Sequence, residues 1–329
     1  MKRLTFTISI VLILLFSGCG NNVKSNELED TVVKLKWKHQ AQFAGNYVAK
    51  DKGFYADEGL NVELVQYSDE EPTIDAVVDG DADLGITSAE ELVLARSKGV
   101  PLVAFAVIYQ TTPDCFYALK ESGIKKPQDF VGKRVGLRRG PEANILYNVM
   151  MSELDIDRTQ IEEVEVGYDN TELVNGEVDA TVCYIINEPL LLEELGYEVN
   201  TILMADYGAS MYGDVLFATE DTINNNPELV ESFLKATIEG WNYAIDNKDE
   251  ATDITLNYAI NSTKEHQRNM LENAIPLIHM DGKITGCMEK SGWDEVQRIL
   301  IEQGVLKNEI NINNAYTLEF VEKFHSHTE

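Results

Sequence analysis

The chain has 329 residues, 44% hydrophobic and 25% charged, a balance that at roughly 100–200 residues per domain predicts two folded units and excludes a disordered chain. Its 27 basic residues stand against 56 acidic ones, for a formal net charge of −29. Such a surface repels phosphate backbones and anionic headgroups, so nucleic acid is excluded as a partner.

Lys2 and Arg3 precede an apolar run, Leu4 to Phe16, that ends in Phe16-Ser17-Gly18-Cys19. As a helix that run reaches about 20 Å, short of the roughly 30 Å hydrocarbon core, so residues 1–18 read as a signal peptide. The small residues before Cys19 resemble a bacterial lipobox, which implies cleavage there, lipidation of the Cys19 thiol and an extracytoplasmic protein anchored to the cell membrane. Residues 19–31 are polar and acidic without hydrophobic period and read as a flexible tether. The other cysteines, Cys115, Cys183 and Cys287, are odd in number and have no C-x-x-C spacing, so they predict buried small side chains and no disulfide framework or zinc knuckle.

From Val32 onward short apolar runs alternate with helical patterns, the signature of an α/β fold. Strands are predicted at 33–37, 61–67, 84–87 and 102–108, with helices at 45–58, 72–79 and 89–97 between them. A second sheet is expected to begin near residue 120, with strands at 134–137, 162–167 and 180–184 and a helix at 142–154. An apolar strand at 215–218 then leads into helices at 227–246 and 250–260. VVDGDADLGI at 77–86 echoes LVNGEVDATV at 173–182 with an offset of 96, each copy reading as helix end, glycine turn and buried strand. Two similar lobes are therefore expected: residues 32–116 open lobe 1, 117–215 form lobe 2, and 216–329 return to lobe 1. Crossings near 114–118 and 214–218 make two hinges on which the lobes close around a ligand.

The segment WKHQAQFAGNYVAKDKGFYADEGLNVEL at 37–64 resembles the opening of the THI5-like family of thiamine-pyrimidine-precursor binding proteins. The likeness continues through GDADLGITSAEELVLARSKGVPLVAFAVI at 80–108, PQDFVGKRVGL at 127–137, GEVDATVCYIINEP at 176–189 and NPELVESFLKATIEGWNYA at 226–244. It implies a two-lobed, type II periplasmic-binding-protein-like fold and a receptor that hands a small heteroaromatic solute to an ABC transporter permease. Riboflavin, or more distantly nitrate or a sulfonate, is the alternative cargo.

Family members that carry formylated aminopyrimidine use an aromatic residue after the first strand and a Tyr and Glu four residues apart in lobe 2, positions that fall here on Trp37, Tyr184 and Glu188. Flat rings stack on a heteroaromatic for about 0.5–1.5 kcal/mol beyond area burial, and a carboxylate accepts from an exocyclic amine for about 1.5–3 kcal/mol. Without the resemblance, aromatics at strand ends such as Trp37 and Tyr184 are more often core or rim residues, and Glu188 before Pro189 equally suits a helix N-terminus. Further candidates are Gln42 and Phe43 in QAQFAG, where a glycine-containing helix start lets the backbone and an amide side chain approach a ligand, and, at strand ends, Thr87, Ser88 and Glu90, then Tyr109 and Gln110. Arg138 and Arg139 offer guanidinium forks to an anion, a chemistry that Glu188 in the same pocket opposes.

The eukaryotic relatives that synthesise the thiamine pyrimidine carry a lysine and a histidine where this chain has Thr87 and Glu91. Their cysteine-rich stretch falls on SMYGDV at 210–215, and a third expected histidine falls near Phe43. A binding protein and not an enzyme is expected. No Walker loop, G-x-G-x-x-G, G-x-S-x-G or H-E-x-x-H is present, which argues against a phosphate-bearing cofactor or a catalytic metal. His39, His266 and His279 are isolated in sequence, and His325 and His327 sit in a polar tail.

Overall fold

The computed structural model describes residues 28–139, 144–279 and 284–326. The signal peptide, Cys19, most of the expected tether and His327 lie outside these residues. Among the described residues, ten strands form two five-stranded sheets. β1 (Glu29–Lys34), β2 (Leu60–Val65), β3 (Leu84–Thr87), β4 (Leu102–Val107) and β10 (Val215–Thr219) assemble in the order β2-β1-β3-β10-β4. β5 (Asp114–Leu119), β6 (Arg134–Leu137), β7 (Glu162–Glu165), β8 (Ala180–Tyr184) and β9 (Val199–Leu203) assemble as β7-β6-β8-β5-β9.

The two orders are the same plan used twice. In each sheet three neighbouring strands run parallel, and one strand entering from the other lobe, β10 or β5, runs antiparallel to both of its neighbours. The echo at offset 96 has a structural counterpart. Gly80 and Gly176 both adopt positive φ, 82° and 70°, which only glycine does without strain. Three residues on, the Asp83 carboxylate accepts from the Val32 amide at 2.8 Å, and the Asp179 carboxylate accepts from the Arg134 amide at 2.9 Å. Each aspartate thereby ties the strand that follows it to that strand's parallel neighbour, β1 or β6.

The strands at 84–87 and 180–184 and the helices Ala89–Ser97 and Pro227–Asp246 match the sequence reading. Of the boundaries that differ, three have a clear physical reason. β1 starts at Glu29 and not after Thr31, because Glu29–Thr31 pair with β2 alone and are polar, with Glu29 and Asp30 exposed, so no apolar period marks them. The expected helix at 45–58 breaks at Gly53, whose φ of 83° separates Ala44–Asp51 from Phe54–Asp57. The outward crossing lies at 108–113, ahead of the expected 114–118, because Asp114–Leu119 pairs wholly with β8 and β9. An apolar strand does not announce which sheet it joins; the turn-forming Gln110-Thr111-Thr112-Pro113 does mark the crossing.

The two crossings run side by side as a hydrogen-bonded ribbon. Thr112 N–H donates to Met211 C=O at 2.9 Å, Gly213 N–H to Tyr109 C=O at 2.9 Å, and Ile108 N–H to Asp214 C=O at 2.8 Å. Gly213 is required by close approach, since a Cβ there would sit 2.8 Å from Tyr109 Cβ and 3.0 Å from Thr111 O. Lobe 1 is closed by the Pro227–Asp246 helix, which buries Phe233, Leu234, Ile238 and Trp241 against the sheet and the Ala44–Asp51 helix. Replacing Gly213→Ala is expected to destabilise the protein by about 1–3 kcal/mol through overpacking of the ribbon, read as a lower urea midpoint at constant m-value. An unchanged midpoint would show that the ribbon yields freely.

Candidate functional site

The lobes face each other across a cavity of about 320 Å³ lined from both sides. In both sheets the parallel strands point their carboxyl ends at it, the crevice where open α/β sheets bind ligands. From lobe 1, the segment after β1 brings Lys36, Trp37, Gln40 and Gln42, the end of β2 brings Tyr67, and the helix after β3 brings Glu90 and Glu91. From lobe 2 come Arg138 after β6, Tyr168 after β7, Tyr184 at the end of β8, and Glu188 in the first turn of the next helix. The antiparallel strands run the other way, so their amino ends lie here: Asp114, which opens β5, lines the cavity, and Asp214, immediately before β10, contacts the lining residues Lys36 and Gln42.

Aromatic rings bridge the cleft. Trp37 stacks on Tyr67 with ring centroids 6.2 Å apart and 25° between planes, and meets Tyr168 of lobe 2 at 5.7 Å with the planes tilted by 45°. The Arg138 guanidinium carbon lies 4.4 Å from the Tyr168 centroid, a cation–π contact that extends the row. A second cross-lobe contact centres on buried His266, whose Nδ1 is 3.0 Å from Glu194 and whose Nε2 is 3.1 Å from the Asn187 side-chain oxygen.

Acids outnumber bases here. Lys36 is 3.3 Å from Asp214, whose two oxygens also accept from the Gln42 amide at 2.9 and 3.0 Å; Gln42 in turn accepts from Gln40 at 2.8 Å. Burial opposes charge on Lys36, but Tyr184, Asp214, Glu90 and Glu91 together hold its pKa above the ordinary lysine range. One Glu188 oxygen accepts from the Tyr184 amide at 3.0 Å, and the other lies 3.8 Å from Arg138. Burial pushes Glu90 up to about 7, against the pull of Lys36 and with Glu91 adding to the rise. Burial also raises Asp114, Asp214 and Glu188, opposed by Thr112, by Lys36 with Gln42, and by the Tyr184 amide respectively. Desolvated carboxylates with too few cations invite a solute that brings N–H donors or positive charge.

The cavity brings together Trp37, Tyr184, Glu188, Gln42 and Glu90. Gln42, however, has its amide N–H groups committed to Asp214, so it orients that carboxylate. The other candidates sit elsewhere. Phe43, 1% exposed, is turned into the lobe 1 core by the short Ala41–Phe43 helical turn. Thr87 is fully buried and donates to Glu91, while Ser88, at the head of the Ala89–Ser97 helix, is buried beside Glu90 and outside the lining. The Gln110 amide donates to Val107 O at 3.1 Å and Cys287 O at 2.9 Å, and Tyr109 is fully buried. Arg139 faces outward and pairs with Glu165.

Sequence reasoning missed Lys36, Tyr67, Asp114, Tyr168 and Asp214. Lys36 carried a usable signal, since alternation along VVKLKW makes a second lysine improbable on a core strand unless it meets an acid. Asp114 and Asp214 each precede an apolar strand, a pattern that also fits ordinary turn chemistry.

Because these carboxylates are held above their ordinary range, they hold more protons in the folded chain than in the unfolded one between about pH 4.5 and 7, and their contribution to stability falls as pH rises through that window, against the smaller opposite effect of His39 and His325, which burial holds low. Carboxylates held low, such as Glu163 and Asp179 beside arginines, act in the opposite sense at lower pH. At about 1.4 kcal/mol per unit, Glu90 contributes at most on the order of 3 kcal/mol. Urea unfolding of the ligand-free protein is expected to give higher stability near pH 5 than near pH 7.5. Glu90→Gln should flatten that slope, and the same slope in the variant would remove Glu90 as its source.

The NMT1/THI5-like family model matches residues 40–251. A formylaminopyrimidine-binding protein of Halalkalibacterium halodurans is 26% identical over 320 residues, covering 94% of this chain and 97% of that protein. The riboflavin-binding protein RibY of Chloroflexus aurantiacus is 27% identical over 354 residues, covering 98% of each. A 4-amino-5-hydroxymethyl-2-methylpyrimidine phosphate synthase of Legionella pneumophila is 25% identical over 296 residues, covering 87% of this chain and 90% of that enzyme. Among solved structures, the putative periplasmic sulfonate-binding protein SsuA of Methylobacillus flagellatus superposes with a TM-score of 0.70 at 14% identity, over 92% of this chain and 95% of that one. The architecture is the two-lobed type II periplasmic-binding-protein fold. With the family match running from the first lobe through the second and back, this chain belongs to the NMT1/THI5-like family.

Proposed function

We propose that the protein is the extracytoplasmic solute-binding component of an ABC importer, tethered to the cell membrane through a lipidated Cys19. Its cargo in this reading is a small heteroaromatic of the formylaminopyrimidine type, a thiamine pyrimidine precursor, which the lobes enclose and present to the permease. The observation that carries the reading is the acid-rich cavity between the lobes, with Trp37 on one side and Tyr184 and Glu188 on the other.

The chemistry matches term by term. A flat ring stacks on Trp37 or Tyr184, and an exocyclic amine donates to the Glu188 oxygen that faces the cavity. Arg138 Nη1 is buried and has no hydrogen-bond partner among the described residues, so it is available to a ring nitrogen or a formyl oxygen. A micromolar to nanomolar dissociation constant needs about 8–12 kcal/mol, which stacking and a few charge-assisted hydrogen bonds approach only when both ring faces are buried. That favours enclosure by two lobes over a groove on one.

A cavity of about 320 Å³ is at the small end of ligand sites, which favours a single ring. Riboflavin is the second reading, favoured by the row of rings from Tyr67 through Trp37 to Tyr168, which would extend stacking beyond the cavity. The excess of carboxylates disfavours nitrate or a sulfonate. Synthesis of the pyrimidine is disfavoured at Thr87 and Glu91, which hydrogen-bond each other where the synthases of the family carry a lysine and a histidine. No amine stands there to form a Schiff base.

In calorimetry, Glu188→Gln is expected to weaken formylaminopyrimidine binding about tenfold or more, the loss of roughly 1.4 kcal/mol or more from one charge-assisted bond, with folding intact. Unchanged affinity would remove Glu188 from the site. Stabilisation by riboflavin but by no aminopyrimidine in a thermal-shift panel would select the second reading. Cys19→Ser is expected to release the protein from membranes into the medium or periplasm, and continued membrane retention would point to another anchor.

A further inference from the structure

Cys115 and Cys183 lie directly opposite each other on antiparallel neighbours, in the register Cys115↔Cys183 of β5 and β8. Opposed residues of an antiparallel pair share one face of the sheet, with Cα atoms about 4.5–5.5 Å apart, inside the range that a disulfide spans. Their sulfurs are 2.9 Å apart, and the residues are 0% and 2% exposed, in a small apolar cluster with Tyr117, Leu173, Val178 and Leu192. The odd cysteine count that argued against a disulfide framework is consistent with this pair once Cys19 and Cys287 are set aside.

We propose that Cys115 and Cys183 form a disulfide bond that clamps β5 to β8 immediately behind the solute cavity. The bond rests on the extracytoplasmic reading above, because an oxidising compartment is where such a bond persists. Its neighbours give it a consequence for the site. The next pair in the same register is Asp114↔Tyr184, and Cys183 itself lines the cavity. The bridge thus sets the separation of the Asp114 carboxylate from the Tyr184 ring, and it closes a loop between residues 68 positions apart, which restricts the unfolded chain.

The oxidant is another disulfide, small-molecule or protein. The Cys183 thiolate attacks one of its sulfurs, that S–S bond breaks, and the leaving thiolate takes up a proton. Cys115, as thiolate, then attacks the Cys183 sulfur and expels the second thiol. Two protein S–H bonds are replaced by one S–S bond, and the oxidant, reduced to two thiols, accepts both electrons and both protons. Burial raises the pKa of both thiols, which slows the exchange in the folded lobe and favours bond formation while the chain folds.

The test uses the mature chain, unfolded and refolded in oxidised glutathione, then acid-trapped, alkylated in denaturant and peptide-mapped. The expected result is a Cys115–Cys183 cross-linked peptide with alkylation confined to Cys287, and alkylation of all three cysteines, with a lower melting temperature, after prior reduction. Alkylation of all three without reduction, or glutathione adducts in place of the bridge, would overturn the proposal. Cys287→Ser keeps the pair and should lose every alkylated position on oxidation; thiols still reactive at Cys115 and Cys183 would also overturn it. Protein trapped directly from cells separates the two readings: a bridge that forms in glutathione but is absent there supports the pairing and overturns the extracytoplasmic location.

Discussion

Withdrawing carboxylates from water without giving each a cation is the constraint around which this molecule is organised. Glu90, Asp114, Glu188 and Asp214 are all held above their ordinary pKa by burial, and among the described residues Lys36 and Arg138 are the cations that stand beside them. A fold tolerates such a cluster when it is offset elsewhere, here by the apolar cores of two lobes. A bound solute with N–H donors would complete what the protein leaves unsatisfied, the energetic logic of a receptor and not of a scaffold.

The architecture delivers these groups by strand direction. Parallel strands end at the cleft and so offer residues in the turns that follow them, including Trp37, Arg138 and Glu188. Each lobe also receives one antiparallel strand from the crossing ribbon, and such a strand offers its first residues instead. Asp114 and Asp214 occupy equivalent places for that reason. Because the plan is used twice, the cavity is walled by corresponding edges of two similar sheets. The ribbon at 108–113 and 209–214 joins them at a short, hydrogen-bonded seam.

Much of this was legible along the chain. Glycine turns at Gly80 and Gly176 and the buried strands after them are local chemistry, so the duplicated unit showed itself as an offset of 96. Trp37, Tyr184 and Glu188 came from a family resemblance and do line one cavity. Phe43 was placed at a helix start and Thr87, Ser88 and Gln110 at strand ends, yet their side chains turn inward. A position one residue from a strand end says little about direction, because a single φ/ψ change exchanges cavity for core.

Charge, the alternation of strands and helices and the two-lobe plan were determined by the sequence alone, since each depends on composition, periodicity or short-range turn chemistry, and the family was legible in the likeness of its motifs. Only the tertiary structure decided which acids share the cavity, that Gln42 serves Asp214, that His266 joins the lobes, and that Cys115 faces Cys183. These pairs are 172, 79 and 68 residues apart. Contacts at such separation arise from how strands are ordered in a sheet and how two sheets face each other, and no local pattern records that order.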